Sequence, residues 1–232
     1  MAGATGLIGS QVVRLAEAVG HEVVALSRSG GVDLTDPDSI GDRLEGVDAV
    51  IDVTRSSSMD EQEAVDFFTT VAANLGAAAR AAGVARTVVL SIVGVDRSQD
   101  YSWYVATLAH ERATRQHAPG PRVLRATQFH EFPGQVLERS RQGDRALIMD
   151  MPTQPVASIE VARMLVELAT DDGAGDVDLV RRLVGLRGEN VSVEPVPAAN
   201  SVASGSMLPG PDAVIRGVDW DTWAREAVPA PH

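Results

Sequence analysis

Hydrophobic residues follow two alternating patterns along this chain. Short apolar runs rich in β-branched residues predict buried strands at residues 21–29, 47–53, 86–94 and 121–126. Apolar residues at helical spacing predict helices at about residues 8–19, 60–82, 104–117 and 155–169. Strands that alternate with helices indicate parallel β–α–β units with helices on both faces of the sheet. The predicted fold class is therefore α/β with a doubly wound parallel sheet.

A glycine-rich segment, GATGLIG at residues 3–9, directly precedes the first predicted helix. Gly3, Gly6 and Gly9 follow the spacing G-x-x-G-x-x-G. Glycines at such a strand-to-helix turn allow a tight bend, close approach of backbone N–H groups to a pyrophosphate and close packing of the helix on the sheet. The helix N-terminus also favours bound negative charge. On this segment alone, a plain glycine-rich turn explains the pattern equally well.

The amino-acid composition of the chain excludes several kinds of chemistry. The 232 residues suffice for one domain, or for one domain with a smaller appended lobe. The sequence has no cysteine, which excludes disulfides, thiolate catalysis and sulfur-ligated zinc. All 20 basic residues are arginine, so no lysine can form a Schiff base, hold a phosphate or assist a tyrosine acid.

The net charge of −12 argues against nonspecific binding to nucleic acid or to an anionic membrane, since both require a basic surface. No apolar stretch approaches the length of a membrane span, and the first residues lack the pattern of a signal peptide. We therefore expect a cytoplasmic protein with neither nucleic acid nor membrane as a partner.

Two His-Glu pairs and one serine bear on hydrolytic and metal chemistry. His110-Glu111 and His130-Glu131 begin like a zincin helix, but the position four residues after each histidine holds no second histidine. Ser91 is not part of a G-x-S-x-G motif. No metal site is predicted. His130 and Glu131 follow a predicted strand, where they either contact substrate or are ordinary polar loop residues.

Several motifs occur in the order typical of one family: GATGLIGS (3–10), HEVVALSRS (21–29), GVDAVIDVT (46–54), VVLSIVGVD (88–96), VLRATQFHEF (123–132) and, more weakly, QPVASIEVARML (154–165). The chain resembles atypical short-chain dehydrogenase/reductase proteins of the NmrA-like, NAD(P)H-binding kind. The resemblance implies an NAD(P)-binding Rossmann domain at residues 1–150. It also implies a small, irregular C-terminal lobe at residues 151–232 that covers a small-molecule substrate.

The resemblance also implies which residues contact the cofactor. It places the glycine loop at the pyrophosphate, the end of the second strand at the adenosine ribose, and the following segments at the adenine, beneath the cofactor and near the nicotinamide. These residues are Gly3, Thr5, Gly6, Leu7, Ile8 and Gly9; Ser27, Arg28 and Ser29; Asp33 and Leu34; Val53 and Thr54; and Ser91, Ile92, Val93 and Phe129. Arg28 suits the 2′-phosphate of NADP, whereas many NAD-preferring members carry an acidic residue there. The alternative is that Arg28 is only a solvated charge.

The segment SWYVATLAHE departs from the family pattern. Reductases of this group carry Y-x-x-x-K here, and alignment of LAHE places Trp103 at the tyrosine and Thr107 at the lysine. Tyr104, one position along, is either the catalytic acid or a surface tyrosine, and Ser91 is the second catalytic candidate. The expected function is an oxidoreductase for a small carbonyl or quinone-like compound. The alternative is a catalytically silent dinucleotide sensor that acts through a protein partner.

The family pattern also has about six apolar residues before the glycine loop, and only Met1 and Ala2 precede it here. Those residues form the central strand of the sheet in the family. Three explanations are open at this point: a start codon assigned too late, a truncated chain, or a decayed copy whose sheet forms without that strand.

Overall fold

The computed structural model describes residues 1–170, 176–196 and 224. The chain divides into one compact unit at Met1–Thr170 and a second at Asp171–His232. The sequence predicts a boundary at residue 150. Helix α6 (Ser158–Thr170) belongs to the first unit because its apolar face, including Val161 and Leu165, joins that unit's core.

In the second unit, helix α7 spans Asp176–Arg187, and the Glu189 N–H donates to the Val184 carbonyl at 3.1 Å just after it ends. Residues 171–175, 197–223 and 225–232 of the expected C-terminal lobe lie outside the described residues.

The first unit contains a parallel sheet of strands β1 (Ala49–Asp52), β2 (Arg86–Ile92) and β3 (Pro121–Ala126), in the order β1-β2-β3. A separate two-residue antiparallel pair joins β4 (Arg141–Gln142) to β5 (Arg145–Ala146). The three parallel strands correspond to three of the apolar runs predicted from the sequence. Their carboxyl ends meet at one edge, where open α/β sheets bind ligands.

The first residues of the chain lie in the sheet beside β1. The Ala2 N–H donates to the Ile51 carbonyl at 2.9 Å, and Ala2 forms parallel bridges to both Leu26 and Asp52. The predicted strand at residues 21–29 is wrong in its extent, because the structure contains only the bridge at Leu26. A strand needs a paired neighbour along its length, and Met1–Gly3 provides backbone partners mainly around Leu26.

The helices of the first unit lie between and around the strands. They are α1 (Leu7–Ala18), the short α2 (Pro37–Ile40), α3 (Glu61–Ala81), α4 (Ser102–His117), α5 (Phe132–Ser140) and α6. The Asp60 carboxylate caps α3 by accepting the Glu63 N–H at 3.0 Å. Gly83 follows α3 with φ +72°, which permits the turn into β2.

Two hydrophobic layers cover the sheet. Ile51 and Val88 pack with α1 and α6, whereas Val50, next in sequence to Ile51, packs with α3. Adjacent strand residues thus face opposite helical layers, as the alternation of side chains in a strand requires. The doubly wound α/β fold is confirmed. No described helix combines the length and hydrophobicity needed to cross a membrane.

Candidate functional site

The glycine loop is packed too tightly for side chains at two positions. A β-carbon at Gly9 would lie 2.1 Å from the Gly3 carbonyl oxygen, and one at Gly3, where φ is +77°, would lie 2.9 Å from the Val53 carbonyl oxygen. Gly6 is the N-cap of α1 and provides no capping side chain, and the first turn of α1 carries no acidic residue. The N-terminus of α1 therefore remains available to an anion such as a pyrophosphate.

Replacing Gly9 by alanine should lower the free energy of unfolding by about 1–3 kcal/mol, since the β-carbon forces the loop backbone to move. Gly6→Ala is the matched control, because its β-carbon would meet the Gly3 carbonyl oxygen at an ordinary 3.5 Å. Urea denaturation of both variants measures the difference. Equal stabilities would show that the close approach at Gly9 is not what requires glycine.

Two other predicted cofactor segments meet this loop. The Gly3 N–H donates to the Leu26 carbonyl at 3.1 Å, directly before Ser27, and the Val53 N–H donates to the Ala2 carbonyl at 3.2 Å. The structure thus brings residues 27–29 and 53–54 next to the glycine loop. At the loop itself, Thr5, Gly6 and Leu7 are exposed, whereas Ile8 is buried in the core.

Residues 27–34 form a turn, a short 3₁₀ helix and a return to the core. The Ser27 hydroxyl accepts the Gly30 N–H at 3.2 Å and caps the 3₁₀ helix Arg28–Gly30, which exposes Arg28 and Ser29. The Leu34 side chain is buried. A hydrogen bond from the Thr35 hydroxyl is the main cause that lowers the pKa of Asp33. Asp33 is therefore an exposed, negatively charged carboxylate in the segment that the resemblance places at the adenine.

A buried acid–imidazole pair supports the segment after β1. The Asp52 Oδ2 lies 2.9 Å from the His110 Nε2, the Asp52 Oδ1 accepts the Thr54 N–H at 2.9 Å, and the Phe68 ring stacks on His110 at 4.6 Å. Burial by itself would raise the pKa of Asp52, but the charge and hydrogen bond of His110 outweigh it and hold that pKa below its usual range. The pair anchors Thr54 beside the glycine loop.

An open cavity of about 270 Å³ is lined by Arg28, Arg55, Ser56 and Ser57. It brings the exposed 3₁₀ helix after Leu26 together with the loop after β1. Arg28 is among the cofactor residues predicted from the sequence, and Arg55 is not. The available signal was its position, one residue beyond Thr54 and directly before three serines. Two guanidinium groups at one cavity can bind a phosphate.

Helix α4 places Trp103 and Thr107 one turn apart on one face, and Tyr104 about 100° around the helix from Trp103. Trp103 contacts the Phe68 ring edge-on at 5.8 Å, and the buried Thr107 hydroxyl donates to the Trp103 carbonyl at 2.7 Å. Tyr104 is half-buried and contacts the Tyr101 ring at 5.4 Å. Burial, reinforced by Tyr101, raises the pKa of Tyr104. Because Thr107 is uncharged, no positive charge lies at the position of the usual lysine.

Ser91 belongs to a buried ion-pair network. Its hydroxyl donates to the Glu111 Oε1 at 2.5 Å, and Arg125 holds both oxygens of the same carboxylate at 2.8 and 3.0 Å. Arg115 adds a bond of 2.9 Å to the Oε2, and Arg125 also pairs with Asp96 at 3.1 Å. The Ser91 hydroxyl is thus bonded to a carboxylate of α4.

The remaining predicted contacts lie at the ends of β2 and β3. The Val93 N–H donates to the Ala126 carbonyl at 3.0 Å, and Ile92 is half-buried beside it. Phe129 forms a bridge with Val156 and packs on the core that includes α1 and α6. No cluster of three acidic or histidine side chains that could hold a metal occurs among the residues that the structure describes.

Known proteins with a similar sequence or fold agree with these features. The sequence matches the family model described as NAD(P)H-binding over residues 3–172. None of the curated proteins searched matches significantly. The structure is similar to the Citrobacter sp. triphenylmethane reductase complexed with NADP(H), at 18% identity, TM-score 0.59 and coverage of 97% of this chain and 85% of that one.

Two further solved structures share the fold. The NADPH-dependent quinone oxidoreductase QOR2 from Escherichia coli, complexed with NADPH, is 18% identical, with TM-score 0.54 and coverage of 97% of this chain and 84% of that one. MoeE5 in complex with UDP-glucose and NAD is 21% identical, with TM-score 0.57 and coverage of 73% and 70%. With its glycine loop, parallel sheet and matched residues 3–172, the chain belongs to the NAD(P)H-binding family.

Proposed function

We propose that the protein binds NADP(H) and is an oxidoreductase for a small carbonyl or quinone-like compound. The observation that carries the cofactor preference is the position of Arg28, which lines a cavity shared with Arg55 next to the glycine loop. A guanidinium group there suits a 2′-phosphate, to which it can donate two parallel hydrogen bonds. The NADP(H) complexes of the triphenylmethane reductase and the quinone oxidoreductase are consistent with this choice.

The residues present fit a dinucleotide. The tight Gly3–Gly9 contact directs the uncapped N-terminus of α1 toward a pyrophosphate. The Asp52–His110 pair holds the Thr54 backbone beside the glycine loop, where Thr54 would lie under the cofactor, and Arg28 at the cavity would hold the 2′-phosphate. Bound NADPH supplies a hydride. A quinone accepts a hydride readily without a positioned acid, so this substrate class agrees with Trp103 and Thr107 at the usual tyrosine and lysine positions.

The first test compares the two cofactors by titration calorimetry. NADPH should bind about 10- to 100-fold more tightly than NADH, the value of hydrogen bonds to a charged group. Arg28→Ala should remove most of this preference. Arg14→Ala, which removes an equal charge from an exposed site on α1, is the control and should leave the preference unchanged. Equal affinities of the unmodified chain for NADPH and NADH would refute the NADP assignment.

The second candidate function is a catalytically silent dinucleotide sensor that acts through a protein partner. It is favoured by α4, where the buried Thr107 hydroxyl is bonded to the Trp103 carbonyl and no lysine assists a tyrosine. The two functions differ in turnover. Saturable NADPH binding without NADPH oxidation by a panel of quinones would favour the sensor, whereas quinone-dependent oxidation would favour the enzyme.

A further inference from the structure

Arg55 and Arg28 reach one cavity from separate segments of the chain. Arg28 lies on the 3₁₀ helix Arg28–Gly30, and Arg55 follows β1 beyond Thr54. Within residues 1–170, 176–196 and 224, neither guanidinium has a carboxylate within ion-pair distance. Within the same described part of the chain, the Asp33 carboxylate acts on Arg28 through its charge but forms no contacting ion pair with it. Their charge can therefore act on a bound anion.

Trp103 holds the Arg55 side chain. The Arg55 guanidinium carbon lies 5.6 Å from the centre of the Trp103 ring, within the range of a cation–π interaction. Trp103 is itself held by edge contact with the buried Phe68 ring, in a small cluster that also contains Ala64 and Ala106. An arginine that is already stacked on a fixed ring loses less conformational freedom on binding a ligand than an arginine that moves freely.

We propose that Arg55 is a second ligand of the 2′-phosphate of NADP(H) and that Trp103 is the positioning residue that keeps Arg55 at the cavity. This inference rests on the proposed NADP(H) binding and deepens it. The inference assigns a cofactor-specificity role to Trp103, which aligns with the tyrosine acid in the reductases that the sequence resembles. Arg28 and Arg55 together supply forked donors to one cavity, which matches the several oxygens of a phosphate.

The experiment measures binding and is independent of turnover. Dissociation constants for 2′,5′-ADP and 5′-AMP, and for NADPH and NADH, are determined by calorimetry for Arg55→Ala, Trp103→Leu and the double variant. Arg55→Ala should weaken binding of the 2′-phosphorylated ligands about tenfold or more relative to their counterparts. Trp103→Leu should weaken them selectively by about two- to fivefold. The double variant should bind them no more weakly than Arg55→Ala alone, because Trp103 acts through Arg55.

Trp103→Phe retains an aromatic ring and should restore most of the selectivity lost in Trp103→Leu; it also replaces that variant if leucine prevents folding. A purely structural role for Trp103 predicts equal loss for both ligands of each pair, and that result would overturn the inference. So would additive effects in the double variant. If instead the unmodified chain and Arg28→Ala both bind NADPH and NADH equally, the proposed function itself has failed.

Discussion

Replacement of Glu111 by alanine should lower the free energy of unfolding by about 3–5 kcal/mol, the usual effect of removing one partner from a buried ion pair. The Glu111 side chain is 0% exposed and accepts bonds from Arg125, Arg115 and Ser91. Its loss leaves Arg125, which is 31% exposed, without its main partner and Ser91 without an acceptor. Urea denaturation followed by far-ultraviolet circular dichroism gives the change.

Arg115→Ala is the matched control for this variant. Arg115 contacts the same carboxylate, but its side chain is 49% exposed and it pairs within one turn of α4. Its removal should lower the free energy of unfolding by less than about 1 kcal/mol, as for other exposed ion pairs. A Glu111→Ala effect as small as that of Arg115→Ala would contradict the assignment of Glu111 as the centre of the network.

The same network predicts a dependence of stability on pH. Burial by itself would raise the pKa of Glu111, but hydrogen bonds from Arg125, Ser91 and Arg115 outweigh it and hold the pKa below the ordinary 4.5. A carboxyl whose pKa is lower in the folded state contributes fully above 4.5, and its contribution is lost as the pH falls through the folded value. Glu111→Gln should therefore show a smaller loss of stability than the unmodified chain on acidification below that pH.

The regular elements of this fold follow from local patterns. Helices α1, α3, α4 and α6 lie where apolar residues recur at helical spacing, and the three paired strands lie in the apolar runs. The predicted strand at residues 21–29 shows the limit of such reasoning. Its β-branched residues favour an extended backbone, but a strand is formed by hydrogen bonds to a neighbour, and these are concentrated at Leu26.

In the candidate site, the sequence predicts the close packing of the backbone but not the partners of the side chains. The glycine spacing indicated where the backbone is closely packed, and the structure contains that contact between Gly3 and Gly9. The partners of Ser91 and Arg55 could not be read from local sequence. Ser91 meets Glu111, which follows it by 20 positions, and Arg55 meets Trp103, which follows it by 48 positions. Both contacts arise only when α4 packs against the rest of the fold.

The geometry of α4 also predicts that cofactor binding and ketone reduction are uncoupled. Reduction of a ketone requires a proton for the oxygen that gains negative charge, and a positioned acid accelerates such steps by about 10²- to 10⁴-fold. Trp103 has no proton to give in this chemistry, and the buried Thr107 hydroxyl donates to the Trp103 carbonyl. The glycine loop and the N-terminus of α1 contain neither position, so the pyrophosphate site does not need the usual tyrosine and lysine, and the chain should bind NADPH without them.

We therefore expect the unmodified chain to bind NADPH saturably and to reduce simple ketones at least about 100-fold more slowly than quinones, which do not require that acid. Tyr104 is the half-buried phenol beside this position, and burial raises its pKa, so it holds its proton and is a weak acid. Tyr104→Phe should abolish any residual ketone reduction while quinone reduction persists, and Tyr101→Phe is the control. The loss of NADPH absorbance with each substrate measures both rates. Rapid ketone reduction that Tyr104→Phe does not diminish would show that protonation occurs at another site.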